Sequence, residues 1–292
     1  FSDGRGRVNF SFAIRHRSVD QHTAQPRGGI AGPLPFVFYD FDEADSRRDI
    51  TAIPYQWGTA DLNEFAQQEL VGLQTWYFGK YRYEWMTRRV TSSNDDGINK
   101  LVMRYAEVLL MAAEAANELE GPSAAAPYLK EIRRRAFDPA DHNEKVDTYV
   151  NALSSKQDML DAIIEEHKYE FTGEMERKHS LIRWNLLGTN LEEAVEKMTA
   201  LRDRTGEYAD VPTTLYFKYE DDNETLDIYG LNRGETTSPG PDYSSKDWMG
   251  TDFTDEQINS LFKRDPDSYQ FWPIWQTFIN ASNNKLVNDY GY

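Results

Sequence analysis

Three glutamates spaced four apart, Glu166, Glu170 and Glu174, are the first residues in this chain whose types and positions could do chemistry. On a helix they stack on one face. Two carboxylates set across a cleft are the machinery of glycoside hydrolysis. Three on one helix face repel one another until cations approach, and Lys168, Arg177, Lys178 and Arg183 are close in sequence. An ion network joining two helices is the expected outcome, with paired catalytic carboxylates as the alternative. The five histidines, His16, His22, His142, His167 and His179, form no HExxH and no close pair, so zinc hydrolysis has no support. There is no GxSxG elbow and no P-loop, and Gly4-Arg-Gly6 is too short for a nucleotide fingerprint. With no cysteine, disulfides, thiolate metal sites and cysteine nucleophiles are excluded.

Other clusters are weighed the same way. Asp40, Asp42 and Asp45 offer oxygens that could hold a structural Ca²⁺, but they lack the glycine and distal glutamate of an EF-hand loop. Pairing with Arg47 and Arg48 is the simpler reading, and no other cofactor is expected. Arg133, Arg134 and Arg135, beside Glu131, read as a solvated helix face. Trp184 can stack with Arg183 as a cation–π pair. The remaining candidates are rings. Tyr39, Tyr55 and Trp57, then Trp76, Tyr77, Tyr81 and Trp85, lie in irregular or strand-like sequence. Such rings can stack on the C–H face of a sugar while neighbouring Asp, Asn and Arg bind hydroxyls. Burial against helices is their alternative role.

Composition narrows the partners. The chain of 292 residues carries a formal charge of −17, which repels nucleic acid and anionic membrane surfaces but not neutral glycans. Aromatic residues make up 13%, including 7 Trp and 17 Tyr. The first residues have no apolar core of a signal peptide, and the most apolar run is broken by Arg104, Glu107 and Glu114.

The elements that must position these groups are mainly helical. Residues 101–121 read as a long helix. Ala106, Ala112, Ala113, Ala115 and Ala116 admit a close neighbour, Val102, Leu109 and Leu110 add apolar area, and Gly121-Pro122 stops it. A second helix over 124–135 completes a pair of the tetratricopeptide type. Another pair is expected over 155–187: Ser155 and Asp158 form a capping box, and Met159, Leu160, Ile163, Ile164 and Phe171 keep helical spacing. Gly173 marks a bend, and 178–187 continues as a helix ended by Gly188. Upstream, 8–14 and 36–39 are β-prone, 61–70 is a weak helix and 76–85 is strand-like. Downstream, a short helix runs over 191–204, and strands 213–219 and 225–229 form a hairpin across 221–224. A long loop over 232–252 precedes a helix over 254–262 capped by Thr254, and 271–275 is extended. The predicted class is mainly α, with tetratricopeptide-like helix pairs, a loop-rich face and a small β-hairpin. Its parts are a loop-rich region over 1–100, a helix-pair core over 101–190, and a C-terminal extension over 191–292 packed on the same domain.

Several blocks together resemble the SusD/RagB family of outer-membrane nutrient-binding lipoproteins. RYAEVLLMAAEA from Arg104 is similar to the family's RYAEVLLMYAEA helix, and YLKEIRRRA from Tyr128 to its IRxRA segment. IIEEHKYEFTGEMERKHSLIRW, from Ile163 to Trp184, resembles IxxERxxELxxEGxRxxDLxRW. FWPI from Phe271 resembles xxPIP, NDYGY from Asn288 resembles the closing QNPGY, and YDFDEADSRR from Tyr39 is similar to the DxRR element. His167, Met175, Ser180 and Trp275 depart from the pattern and mark a divergent branch. The resemblance implies a helical scaffold that captures glycan or oligosaccharide at the bacterial surface without transforming it. It implies a SusC-like TonB-dependent transporter as partner, and a lipid anchor on an N-terminal half that also belongs to the protein. This chain reads as the C-terminal part. The loop-region rings Tyr39, Tyr55, Trp57, Trp76 and Tyr77 are then the expected ligand-binding residues. Peptide or other nutrient binding on the same scaffold is the alternative, with a glycoside hydrolase behind it.

Overall fold

The computed structural model describes residues 8–91, 101–250, 253–283 and 285–289. Gly4, Gly6 and the closing Tyr290, Gly291 and Tyr292 lie outside the described residues. The chain divides into two compact units, Phe1–Met175 with Asp210–Gly250, and Glu176–Ala209 with Thr251–Tyr292.

In the first unit, short helices α1 (Val8–Phe12), α2 (Phe36–Asp40) and α3 (Arg48–Thr51) alternate with loops and small strands. Two antiparallel pairs join β1 (Ala52–Ile53) to β4 (Tyr77–Phe78), and β2 (Tyr55–Trp57) to β3 (Gln68–Leu70). The expected strand over 8–14 is helical at Val8–Phe12 with a β-bridge from Ala13 to Tyr81, the one over 36–39 is helical, and the expected helix over 61–70 is a turn leading into β3. These are segments of a few residues, where tertiary packing overrides local preference. One tight approach explains a glycine: a Cβ on Gly28, at φ +77°, would sit 2.2 Å from the Ile14 carbonyl oxygen.

The helical core is as the pattern requires. Helix α4 (Tyr105–Glu120) packs against α5 (Pro122–Ala136), with Gly121 at φ +96° ending the first and Pro122 opening the second. Ala106, Ala113 and Ala125 are buried at the crossing, with Leu110, Leu129 and Ile132 beside them. Ala115 and Val102 instead face outward. A π-helix, His142–Thr148, leads into α6 (Tyr149–Ala152). Helix α7 (Lys156–Phe171) begins with the Ser155/Asp158 capping box, and Met159 and Ile163 complete the core. Gly173 turns the chain at φ +84°. The hairpin forms as β5 (Thr214–Tyr219) and β6 (Leu226–Tyr229). A third strand, β7 (Ser244–Asp247), pairs with the other edge of β5 inside the stretch expected to be loop. Its sequence is polar because its residues are largely exposed, so it carries no apolar alternation to read.

The second unit contains α8 (Arg177–Arg183), α9 (Leu187–Asp203), α10 (Asp255–Asn259) and α11 (Gln276–Ala281). Gly188 lies in the first turn of α9 rather than ending α8. Thr254 caps α10, Arg183 lies 4.7 Å from the Trp184 ring centroid, and Arg202 bridges Asp203 and Asp255.

The glutamate face of α7 is an ion network. Glu166 and Glu170 are buried at 1% and 2% exposure. Arg47 reaches both, with Nη2 at 2.7 Å from Glu166 and Nη1 at 2.9 Å from Glu170. Arg133 binds Glu166 at 2.8 Å, and Arg104 binds Glu170 at 2.5 Å and Glu174 at 2.6 Å. Arg135 also pairs with Glu170. Lys80 donates to the Glu174 carboxylate and the Glu170 carbonyl. Most of these cations come from distant positions that no local spacing reveals. Lys168 turns instead to Asp40 and Glu165. Arg133, expected on a solvated face, is buried.

Burial alone would raise the Glu170 pKa. The charge of Arg104 and the hydrogen bonds of Arg104 and Arg135 outweigh it and bring it from the ordinary 4.5 to about 2. A depressed acid pKa contributes stability that is full above the unfolded value and drains away as pH falls from about 4.5 towards 2. Equilibrium urea unfolding should therefore show a loss of stability across that window that is reduced in Glu170→Gln. Glu166→Ala, which takes the carboxylate from the buried Arg133 and one of three from Arg47, should cost about 3–5 kcal/mol at neutral pH.

Candidate functional site

The rings singled out by sequence point mostly inward. Trp57 is 1% exposed. Its ring stacks on His16 at 5.7 Å and meets the edge of His22 at 4.5 Å. His16 is itself fixed by Asp20 at 2.7 Å, both side chains fully buried. Trp76 is buried between Phe38 and Trp248, at 5.6 and 5.5 Å. Tyr77 is buried, and its hydroxyl donates to Gln56 Oε1 at 3.1 Å. Tyr39 and Tyr55 are half-buried. Tyr39 packs on Phe38, with Arg233 5.6 Å from its ring centroid. The Tyr55 hydroxyl accepts from Arg82 Nη1 at 2.8 Å. Burial pushes both phenols above their ordinary pKa. Trp57, Trp76 and Tyr77 thus have their faces covered by protein.

An open cleft of about 700 Å³ lies elsewhere in the first unit. One wall is the Asp40–Asp45 stretch, and the others are α5, the π-helix, α6 and α7. Tyr149 stands at its edge, 38% exposed, with Phe41 and Tyr169 deeper. Phe41 and Tyr169 meet at 4.7 Å. The Tyr169 hydroxyl is 2.7 Å from both the Asp40 carbonyl and Glu165 Oε1. Burial and the Glu165 carboxylate raise its pKa, so it stays a neutral phenol.

Arg133 assembles this wall. Its Nε and Nη2 donate to the Lys145 carbonyl at 2.9 and 2.7 Å, and Nη1 binds Glu166. Its guanidinium carbon lies 4.0 Å from the Tyr149 ring centroid. One side chain therefore ties the π-helix and the Tyr149 ring to the network on α7. π-Helices are rare and frequent at functional sites. The sequence carries a signal for it in the i, i+3, i+4, i+7 spacing of Val146, Tyr149, Val150 and Leu153, which the sequence-based expectations missed.

Each member of the acidic cluster has a cation. Asp40 pairs with Lys168 at 2.9 Å, Asp42 with Lys145 at 2.8 Å and Asp45 with Arg47 at 2.6 Å. Burial opposes ionisation of Asp42, but Lys145 and the Ala44 amide hold its carboxyl below the usual range. Among the described residues no three His, Asp or Glu side chains gather as metal ligands. Glu170, ionised down to about pH 2, cannot serve as a general acid near neutrality. The cleft offers ring faces, fixed carboxylate acceptors and the Lys145 ammonium, which can grip a polyhydroxylated ligand.

The SusD family model matches residues 43–292, so the chain belongs to the SusD family. Over 211 residues it is 30% identical to SusD-like protein P2 of Formosa agariphila, covering 69% of this chain and 41% of that protein. Over 89 residues it is 42% identical to SusD-like protein P25 of the same organism, covering 30% of this chain and 16% of that protein. The crystal structure of a SusD homolog from Bacteroides thetaiotaomicron superposes with a TM-score of 0.54 at 17% identity, covering 96% of this chain and 46% of that one. The fold is thus that of the family, and the chain spans less than half the length of each of these relatives.

Truncating a buried ring in the loop region should show as lost stability. Trp57→Ala is expected to cost about 3–5 kcal/mol in denaturant unfolding. A variant of wild-type stability would instead show that the ring is free.

Proposed function

We propose that this chain captures glycan or oligosaccharide in the cleft edged by Tyr149 and delivers it unchanged. The observation that carries the reading is an open cleft with a half-exposed aromatic ring and ordered carboxylates, held rigidly by Arg133. Membership of the SusD family, whose members are in general non-catalytic glycan-binding proteins, supports it. A sugar ring would lie on the free side of Tyr149, with its hydroxyls donating to Asp42, Glu165 and Asp158 and accepting from Lys145. In this reading the protein works at the cell surface, lipid-anchored in the outer membrane, with a SusC-like TonB-dependent transporter. No described helix is long and apolar enough to cross a membrane.

In this reading the loop-region rings Tyr39, Tyr55, Trp57, Trp76 and Tyr77, none of which lines the cleft, support the scaffold rather than stack on the sugar. Calorimetric titration with a panel of neutral oligosaccharides tests the reading. Tyr149→Ala should weaken binding by about 1–3 kcal/mol, as loss of a stacking ring does elsewhere, with little change in unfolding midpoint. Unaltered affinity in a folded Tyr149→Ala variant would remove the cleft from consideration. Release of shortened sugars from the wild-type protein would contradict capture without chemistry.

A further inference from the structure

We propose that a pocket in the second unit binds an acidic sugar, one bearing a carboxylate or sulfate. The proposal rests on the glycan reading above and names the class of glycan. The pocket, of about 500 Å³, lies between the α8–α9 pair and the turn at residues 264–269. Its size falls in the range of small-molecule sites. The floor is apolar, made by Leu181, Leu187 and Leu191 with Pro266.

The polar part of the lining is of one sign. Arg177, Lys178 and Arg264 contribute three cations, and among the described residues no Asp or Glu lines the pocket. In a chain with 49 acidic and 32 basic residues, a lining whose charged members are all basic runs against the overall composition. The Arg264 guanidinium carbon lies 4.9 Å from the Tyr269 ring centroid, so a ring and a fork of donors sit together at the rim. Arg presents paired N–H donors that match a carboxylate or sulfate. The start of α9 adds to the same sign. Its N-cap is Leu186, which supplies no side-chain cap, and its first turn holds no acid. Its partial positive charge therefore meets no acid in its own turn.

The combination selects a ligand with two properties. The leucine floor and Tyr269 suit the C–H face of a sugar ring, and the cations suit a fixed negative charge. Nucleic acid would bring a chain of phosphates against the −17 field of the whole molecule. A saccharide with a single acidic sugar places that one charge in the pocket and brings no chain of charges against the field. The pocket thereby adds a charge preference that the Tyr149 cleft, with its own carboxylates, does not provide.

The test uses two probes that differ only in charge, galacturonic acid and its methyl ester, titrated calorimetrically into the full chain. The acidic form should bind at least tenfold more tightly at low salt, and the preference should shrink as salt rises. In the double variant Arg264→Gln/Lys178→Gln the preference should vanish, while the ester binds as it does to wild type. Equal binding of both forms to wild type, or a preference that survives the double variant, overturns the proposal. In either case ester binding that depends on Tyr149 leaves the glycan reading standing. Failure of both forms, and of every neutral oligosaccharide, overturns the two together. Vesicles containing phosphatidylglycerol provide the remaining arm. Arg264-dependent vesicle binding without acid-selective saccharide binding would assign the pocket to a lipid headgroup and overturn the saccharide assignment.

Discussion

Two carboxylates buried in a helical core, Glu166 and Glu170, set the terms for everything around them. Ionised groups in that position are tolerated only when cations and hydrogen bonds replace the water they lose. Here the cations come from the Asp45–Arg48 turn, the start of α4 and the last turns of α5. Three separate stretches of chain are therefore pinned to one face of α7. The pinning also explains the placement of the cleft: its Asp40–Asp45 wall and its π-helix wall are both tied to the same glutamates, through Arg47 and Arg133 respectively. Apolar packing sets how α4, α5 and α7 lie together, and the ionic face sets what is presented beside them.

That division also explains what could be read from the sequence. The helix pair, the Gly121-Pro122 break, the Ser155 capping box and the hairpin are local devices. Each is written in a handful of adjacent residues, and each is found where the spacing puts it. The spacing of Glu166, Glu170 and Glu174 foretold a network but not most of its members. Arg47 and Glu166 are 119 positions apart, and nothing local connects them. The short helices α1 and α2, expected as strands, took their form from packing of Val8, Phe36 and Phe38 into the interior.

The rings show the same limit. A sequence rich in Trp and Tyr signals either a sugar-facing surface or a well-filled core, and composition does not separate the two. Trp57 and Trp76 are drawn inward by partners far along the chain, His16 and His22 for one and Phe38 and Trp248 for the other. Tyr149 shares an i, i+3, i+4, i+7 pattern with Val146, Val150 and Leu153, which marks a short helix but not which of its rings stays exposed. The Arg133 guanidinium lies against the Tyr149 ring and holds the Lys145 carbonyl, while Lys130 and Arg134 pair with Asp147 in the same wall.

Amide hydrogen exchange across residues 142–149 in Arg133→Lys is the most direct test of this account. Lysine keeps the charge beside Glu166 but cannot hold the Lys145 carbonyl with two donors while lying flat on Tyr149. Faster exchange confined to the π-helix and α6, with α4 and α7 protected as in the wild type, is the result the account predicts. Exchange through residues 142–149 as slow as in the wild type would contradict it, because the wall of the cleft would then stand without the arginine.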